Sequence, residues 1–221
     1  LEEVLSRQSD AVQSFLLRTS LLSRMCGPLC DAVMGDRSAP GSETLKYLER
    51  TNMFVVPLDD RRRWYRYHHL FADALQQRLR QRLVSSAGDR TEGIAQLHLR
   101  ASVWYEENGH EIEAFHHAAA ADDLTRAERL IEGSGMPLYV RGALIPVLNW
   151  LKSLPKAVLD ANPTLWTAYA SAALATGQAK NAEDKLWRAE SALDGVPLDG
   201  KIRDTVGRIA AVRATLAIGR H

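Results

Sequence analysis

The chain has 221 residues, with 28 Lys and Arg against 27 Asp and Glu, a net charge of +1 and 46% hydrophobic residues. So even a balance gives no whole-chain pull towards nucleic acid, a membrane surface or an acidic partner, and no apolar run approaches the ~20 residues of a membrane span. Cys26 and Cys30 are too few for a disulfide framework; they read as buried small residues four apart on one helix face, in a reducing, cytoplasmic setting.

Leu1, Val4 and Leu5 give a short apolar face. Ser9 or Asp10 then caps a helix carrying Val12, Phe15, Leu16 and Leu17. The chain turns near Arg24. Gly27-Pro28 opens a second helix that runs through Val33 and stops at Gly35. After a loop over 35–42, Ser42 and Glu43 begin a third helix with Leu45 and Leu48 facing in and Asn52 as its stop. The period then changes from helical to alternating. Phe54 to Leu58 reads as a strand, Asp59 to Arg62 as a turn, and Arg63 to Tyr67 as the returning strand of a hairpin. His68 and His69 stand where strand gives way to helix, and Leu75, Leu79 and Leu83 mark the buried stripe of that helix. Three helices, a hairpin and another helix make a winged helix, assigned to 1–84, with a polar linker at 85–93.

The remainder, 94–221, reads as antiparallel helix pairs. Leu97, Ala101, Trp104 and Tyr105 line one helix, Gly109 turns the chain, and Ala114 and Ala121 follow. Leu165, Trp166, Tyr169 and Ala173 repeat the pattern, with Gly177 as the turn and Ala182 and Ala189 behind it. The two glycines are 68 residues apart, twice the roughly 34-residue period of tetratricopeptide repeats. Between these blocks Ala127, Leu130 and Ile131 build one helix, and Pro146 opens another with Val147, Leu148, Trp150 and Leu151. A final helix over about 199–218 holds Ile202, Val206 and Ile209. The fold class is therefore mostly α: a winged helix with a small β-hairpin, followed by a tetratricopeptide-like superhelix. Leu1 in place of Met, and an end without a clear helix stop, point to a fragment.

Chemical motifs are sparse. The sequence has no phosphate-binding glycine loop, no nucleophile elbow, no C-x-x-C and no G-x-G-x-x-G. Asp59 and Asp60 are adjacent in a turn, where their side chains diverge. His98, His110, His116 and His117 form no metal-ligand set and read as surface or interhelix residues; Trp104, Tyr105, Trp150 and Trp166 read as core. No catalytic or metal-binding residue is assigned. Arg61, Arg62, Arg63 and Arg66 suit phosphate contacts from a wing. The helix that would enter a groove carries Glu43 and Glu49 beside Lys46 and Arg50, which opposes a phosphate backbone. His68 and His69 remain open between chemistry and a capped turn.

The stretches LLRTSLLSRMCGPLCDAV, LKYLERTNMFVVPLDDRRRWYRYHHLFADALQQRL and ASVWYEENGHEIEAFHHAAAADD resemble the MalT-like group of LuxR-type transcriptional regulators, signalling ATPases of the STAND class. The resemblance continues through PVLNWLKSLP and NPTLWTAYASAALATGQAKNAE, and so covers nearly the whole chain. It implies a position between a P-loop nucleotide-binding domain upstream and a C-terminal helix-turn-helix domain that reads DNA. It also implies no cofactor within this stretch, ATP or ADP with Mg in the full-length protein, an inducer or protein signal as input, and oligomerisation on activation. In related STAND proteins a winged-helix histidine that starts a helix touches the β-phosphate of ADP. His68-His69-Leu70 is similar to that His-x-Leu arrangement, which makes His68 the candidate phosphate sensor, with His69 as the departure from the pattern. Two further readings stand beside this one: a helical-repeat scaffold for a partner protein, and a winged-helix DNA-binding module.

Overall fold

The computed structural model describes residues 5–35, 40–85, 93–133, 135–197 and 199–218. Leu1, Val4, most of the 35–42 loop, most of the 85–93 linker and the Leu83 side chain fall outside what is described. Two compact units emerge, Leu1–Asp123 and Leu124–His221.

In the first unit, helix α1 (Asp10–Thr19) is capped by Ser9, whose hydroxyl accepts the Val12 N–H at 3.4 Å, and buries Phe15, Leu16 and Leu17. Helix α2 (Gly27–Met34) has Pro28 in its first turn, where the missing N–H removes no helical bond. Cys26 is the N-cap of α2 rather than a member of its face; it and Cys30 are both buried free thiols. Helix α3 (Gly41–Arg50) starts one residue ahead of the expected Ser42. The cause lies in α2: the Asp31 carboxylate accepts the Gly41 N–H at 2.6 Å and supplies the cap. The starts of the two helices touch. A Cβ on Gly41 would lie 2.7 Å from the Gly27 carbonyl oxygen, and one on Gly27 would lie 2.8 Å from the Ser42 nitrogen. Only glycine at both positions permits this crossing.

Strands β1 (Val55–Pro57) and β2 (Tyr65–Tyr67) pair antiparallel, Val55 opposite Tyr67 and Pro57 opposite Tyr65. Met25 bridges Tyr65 through two 2.8 Å backbone bonds, which fixes the chain between α1 and α2 to the hairpin. Tyr65 and Tyr67 face in and Arg66 faces out, the alternation of a half-buried strand. Helix α4 (His69–Ser85) buries Phe71, Leu75 and Leu79, and Gln76 donates to the Ser20 carbonyl at 2.9 Å. These elements form the expected winged helix. Helices α5 (Ile94–Glu107) and α6 (Glu111–Ala120) complete the same unit, with α2 packed on α5. Arg100 on α5 donates to the Val33 carbonyl at 2.9 Å, so the end of α2 is satisfied by a side chain from the helix pair.

The second unit holds α7 (Leu124–Glu132), a π-turn (Tyr139–Ala143), α8 (Leu144–Ser153), the short α9 (Lys156–Asp160), α10 (Pro163–Ala175), α11 (Ala179–Ser191) and α12 (Gly200–Ile218). Helices α10 and α11 pack as an antiparallel pair, and Ala170, Ala172 and Ala173 of α10 and Ala182 and Ala189 of α11 are all fully buried. Ion pairs fasten α12 to its neighbours: Lys201 to Glu128 at 2.9 Å, Arg208 to Glu132 at 2.7 Å, and Arg213 to Glu190. Among the described residues no helix is long and apolar enough to cross a membrane.

Candidate functional site

His68 stands between β2 and α4. Its N–H donates to the Phe54 carbonyl at 2.7 Å, and its own carbonyl accepts from Phe71 at 2.9 Å and Ala72 at 3.0 Å. The backbone of His68 therefore does the capping, and the imidazole is left outside. Its ring lies 4.4 Å from that of His69, tilted by 31°, and both residues are exposed. Leu70, next along, is 66% exposed, and Phe54, on the strand side, is 50% exposed with its ring 4.9 Å from Phe71. Ahead of the first helical hydrogen bond lie the N–H groups of His69 and Leu70, at the positive end of the α4 dipole. An anion held there meets two imidazoles, free amides and an apolar rim. His68 and His69 thus share one face of the unit.

At the other end of the hairpin Asp59 is not a loose turn carboxylate. It accepts the Trp64 N–H at 2.8 Å and the Arg63 N–H at 3.1 Å, and these bonds, led by that from Arg63, hold its carboxyl below the usual range. Arg62 takes a left-handed φ of 51° at the tip. The tip, Lys46 of α3 and the start of α2 surround a cleft of about 500 Å³, floored by Leu45 and Tyr65. Arg62 reaches Glu49 at 3.4 Å.

A third cluster centres on Arg24, in the turn ahead of α2. Its guanidinium lies 4.6 Å from the Trp64 ring centroid, donates to His110 Nδ1 at 3.3 Å and pairs with Glu113, while its carbonyl accepts the Tyr105 hydroxyl at 2.9 Å. Trp64 also meets Trp104 and His110 edge-on, at 6.3 and 5.7 Å. Trp104 and Tyr105 are packing residues, as the sequence suggested, but part of what they pack against is the wing.

Two of the four histidines of the helical half have a relation the sequence did not reveal. His98 on α5 and His117 on α6 approach to 2.8 Å between their Nδ1 atoms, and His117 stacks on Tyr105 at 5.4 Å. One ring must donate and the other accept, so the accepting ring is neutral. Burial pushes both down; His117, also beside His98 and His116, falls from 6.5 to about 3. His116 points outward. No group of three or more metal-ligating side chains occurs among the described residues.

Residues 1–87 match the family model described as the MalT winged helix domain. The serine/threonine-protein kinase PknK of Mycobacterium tuberculosis is 33% identical over 196 residues, which cover 86% of this chain and 17% of that protein. The HTH-type transcriptional regulator MalT of Yersinia enterocolitica is 31% identical over 222 residues, 99% of this chain and 23% of that protein; MalT of Cronobacter sakazakii is 30% identical over 219 residues, with the same shares. The chain therefore spans less than a quarter of the length of these curated relatives.

Proposed function

Because residues 1–87 belong to the family of MalT winged helix domains, we propose that this chain is the regulatory middle of a longer signalling protein. The winged helix follows the nucleotide state of an adjoining ATPase domain, and the helix pairs receive a small-molecule inducer or a protein signal. The relatives support a regulatory role in preference to an output role. The same stretch is found in a protein named as a kinase and in proteins named as transcriptional regulators, so its shared work is neither phosphoryl transfer nor DNA reading.

The observation that carries the reading is the division of labour at His68. Its backbone closes the strand-to-helix turn, while its ring stays exposed at a helix start, a place that attracts phosphate. In the full-length protein this face would meet ADP held, with Mg, by the upstream domain. An ion-dipole contact there favours the resting state. An inducer that binds the other state better then shifts the population towards the ATP-bound, oligomerising form, which acts on DNA through the C-terminal helix-turn-helix domain.

The test is ADP retention by the full-length protein. His68→Ala is expected to lose bound nucleotide several-fold faster than the parent, and His69→Ala at the parent rate. Equal retention in all three proteins would falsify the sensing role and leave His68 a turn residue.

A further inference from the structure

We propose that the cleft between the hairpin tip and the starts of α2 and α3 is a binding site for a small organic phosphate, separate from the face that carries His68. Four cations line it: Lys46 from α3 and Arg61, Arg62 and Arg63 from the tip. Among the described residues, no acidic side chain is in its lining. Arg62 has a counter-ion in Glu49, at 3.4 Å and with the arginine 66% exposed, a geometry worth little. Among the described residues Lys46, Arg61 and Arg63 make no ion pair within 4 Å, though the Asp59 carboxylate at the tip attracts the Arg63 charge. Gathered on one concavity, like charges raise each other's energy, and an anion relieves that cost.

Three further features favour a ligand of defined size over a diffuse counter-ion cloud. The cleft measures about 500 Å³, within the range of small-molecule pockets. Its floor is Leu45 and Tyr65, which suits a ligand with an organic body behind its phosphate. The tip is held in place, because Asp59 clamps the N–H groups of Arg63 and Trp64, so the arginines need less ordering on binding. Cys26, Gly27 and Pro28 at the start of α2 complete the lining, and Asp31 already occupies the start of α3. A DNA duplex suits the site less well. Glu43 and Glu49 lie on α3, and a convex phosphate backbone does not fill a concavity floored with apolar side chains.

The probes are inorganic pyrophosphate and ADP, titrated calorimetrically into the 221-residue chain at low ionic strength. Saturable binding of one ADP is expected. The double variant Arg61→Ala/Arg63→Ala should weaken it at least about tenfold, and Lys46→Ala by a smaller factor. Arg66→Ala removes a cation of the same hairpin that does not line the cleft, and should leave the affinity within about twofold of the parent. Circular dichroism checks that each variant is folded. The proposal is overturned by no saturable binding of either probe, by binding that survives the double variant, by equal weakening with Arg66→Ala, or by a DNA duplex that binds more tightly than ADP and loses as much in the double variant. Pyrophosphate binding more weakly than ADP supports the role of the apolar floor; pyrophosphate equal to ADP overturns that part of the assignment.

Discussion

The turn between α5 and α6 and the turn between α10 and α11 are built alike. Gly109 and Gly177 have φ of 76° and 75°. The next residues, His110 and Gln178, donate back to Tyr105 and Ala173 at 2.8 and 3.0 Å, and their carbonyls accept from Ala114 and Ala182, both at 2.9 Å. Yet the side chains that cross between the helices differ. An offset of 68 puts His98 on Trp166 and His117 on Lys185. In the first pair the two positions meet as imidazoles 2.8 Å apart; in the second, the Lys185 ammonium sits 5.5 Å from the Trp166 ring. One backbone therefore accepts either a proton-sensitive contact or a permanent cation over an aromatic face. The glycine and alanine positions set the geometry, and the crossing pair sets what the geometry responds to.

The hardest blow to the likeness is to fill the shared ladder. Ala114→Leu and Ala182→Leu each force a larger side chain into a fully buried site and should cost about 3 kcal/mol apiece. Chemical denaturation followed by hydrogen exchange in each pair measures it; a small cost in one pair alone would mean that its helices stand further apart.

Acid should split the pairs. His117 titrates near 6.5 when unfolded and near 3 when folded, so its contribution is complete above pH 6.5 and is lost as pH falls below it. At pH 5 that loss is about 2 kcal/mol, and amide protection in α5 and α6 should fall while that in α10 and α11 holds. His117→Phe, which keeps a ring against Tyr105, should flatten the dependence. Parallel loss in both pairs would place the acid-sensitive group elsewhere.

The smallest effect is at Lys185. Lys185→Met removes a cation lying 5.5 Å from Trp166 and 5.3 Å from Tyr169, with an expected loss of about 0.5–1 kcal/mol. A salt titration sharpens the reading: the parent should lose part of this increment at high ionic strength and the variant should not.

The helix pairs were legible because glycine and alanine act locally: a left-handed turn residue and a close approach leave their mark at fixed spacing. Even so, one rung differs. Helix α6 ends at Ala120, with Asp122 at φ 56°, so Ala121 caps the helix where Ala189 is packed inside α11. The hairpin was also readable, from the change of period at Phe54 to Tyr67, whereas the exposure of His68 and His69 was not. The Arg24 cluster was not, since its partners stand 40 to 89 positions along the chain. Nor was the His98–His117 contact, although the 68-residue offset held the clue: it lays both histidines on residues that also meet across a helix pair. The basic cleft was half visible. Three arginines in a turn announced a charged tip, but the arrival of Lys46 and the start of α2 depended on Gly27 and Gly41 allowing two helix starts to touch.

Arg24 has a mechanical consequence. The covalent route from winged helix to helix pair runs through 85–93, but force need not follow the covalent route. Arg24 to Glu113, the Tyr105 hydroxyl to the Arg24 carbonyl, and Arg100 to the end of α2 form a strut that bypasses the tether. A chain cut within the tether should still run as one particle until the strut is broken, as a lever stays on its pivot after its cord is cut.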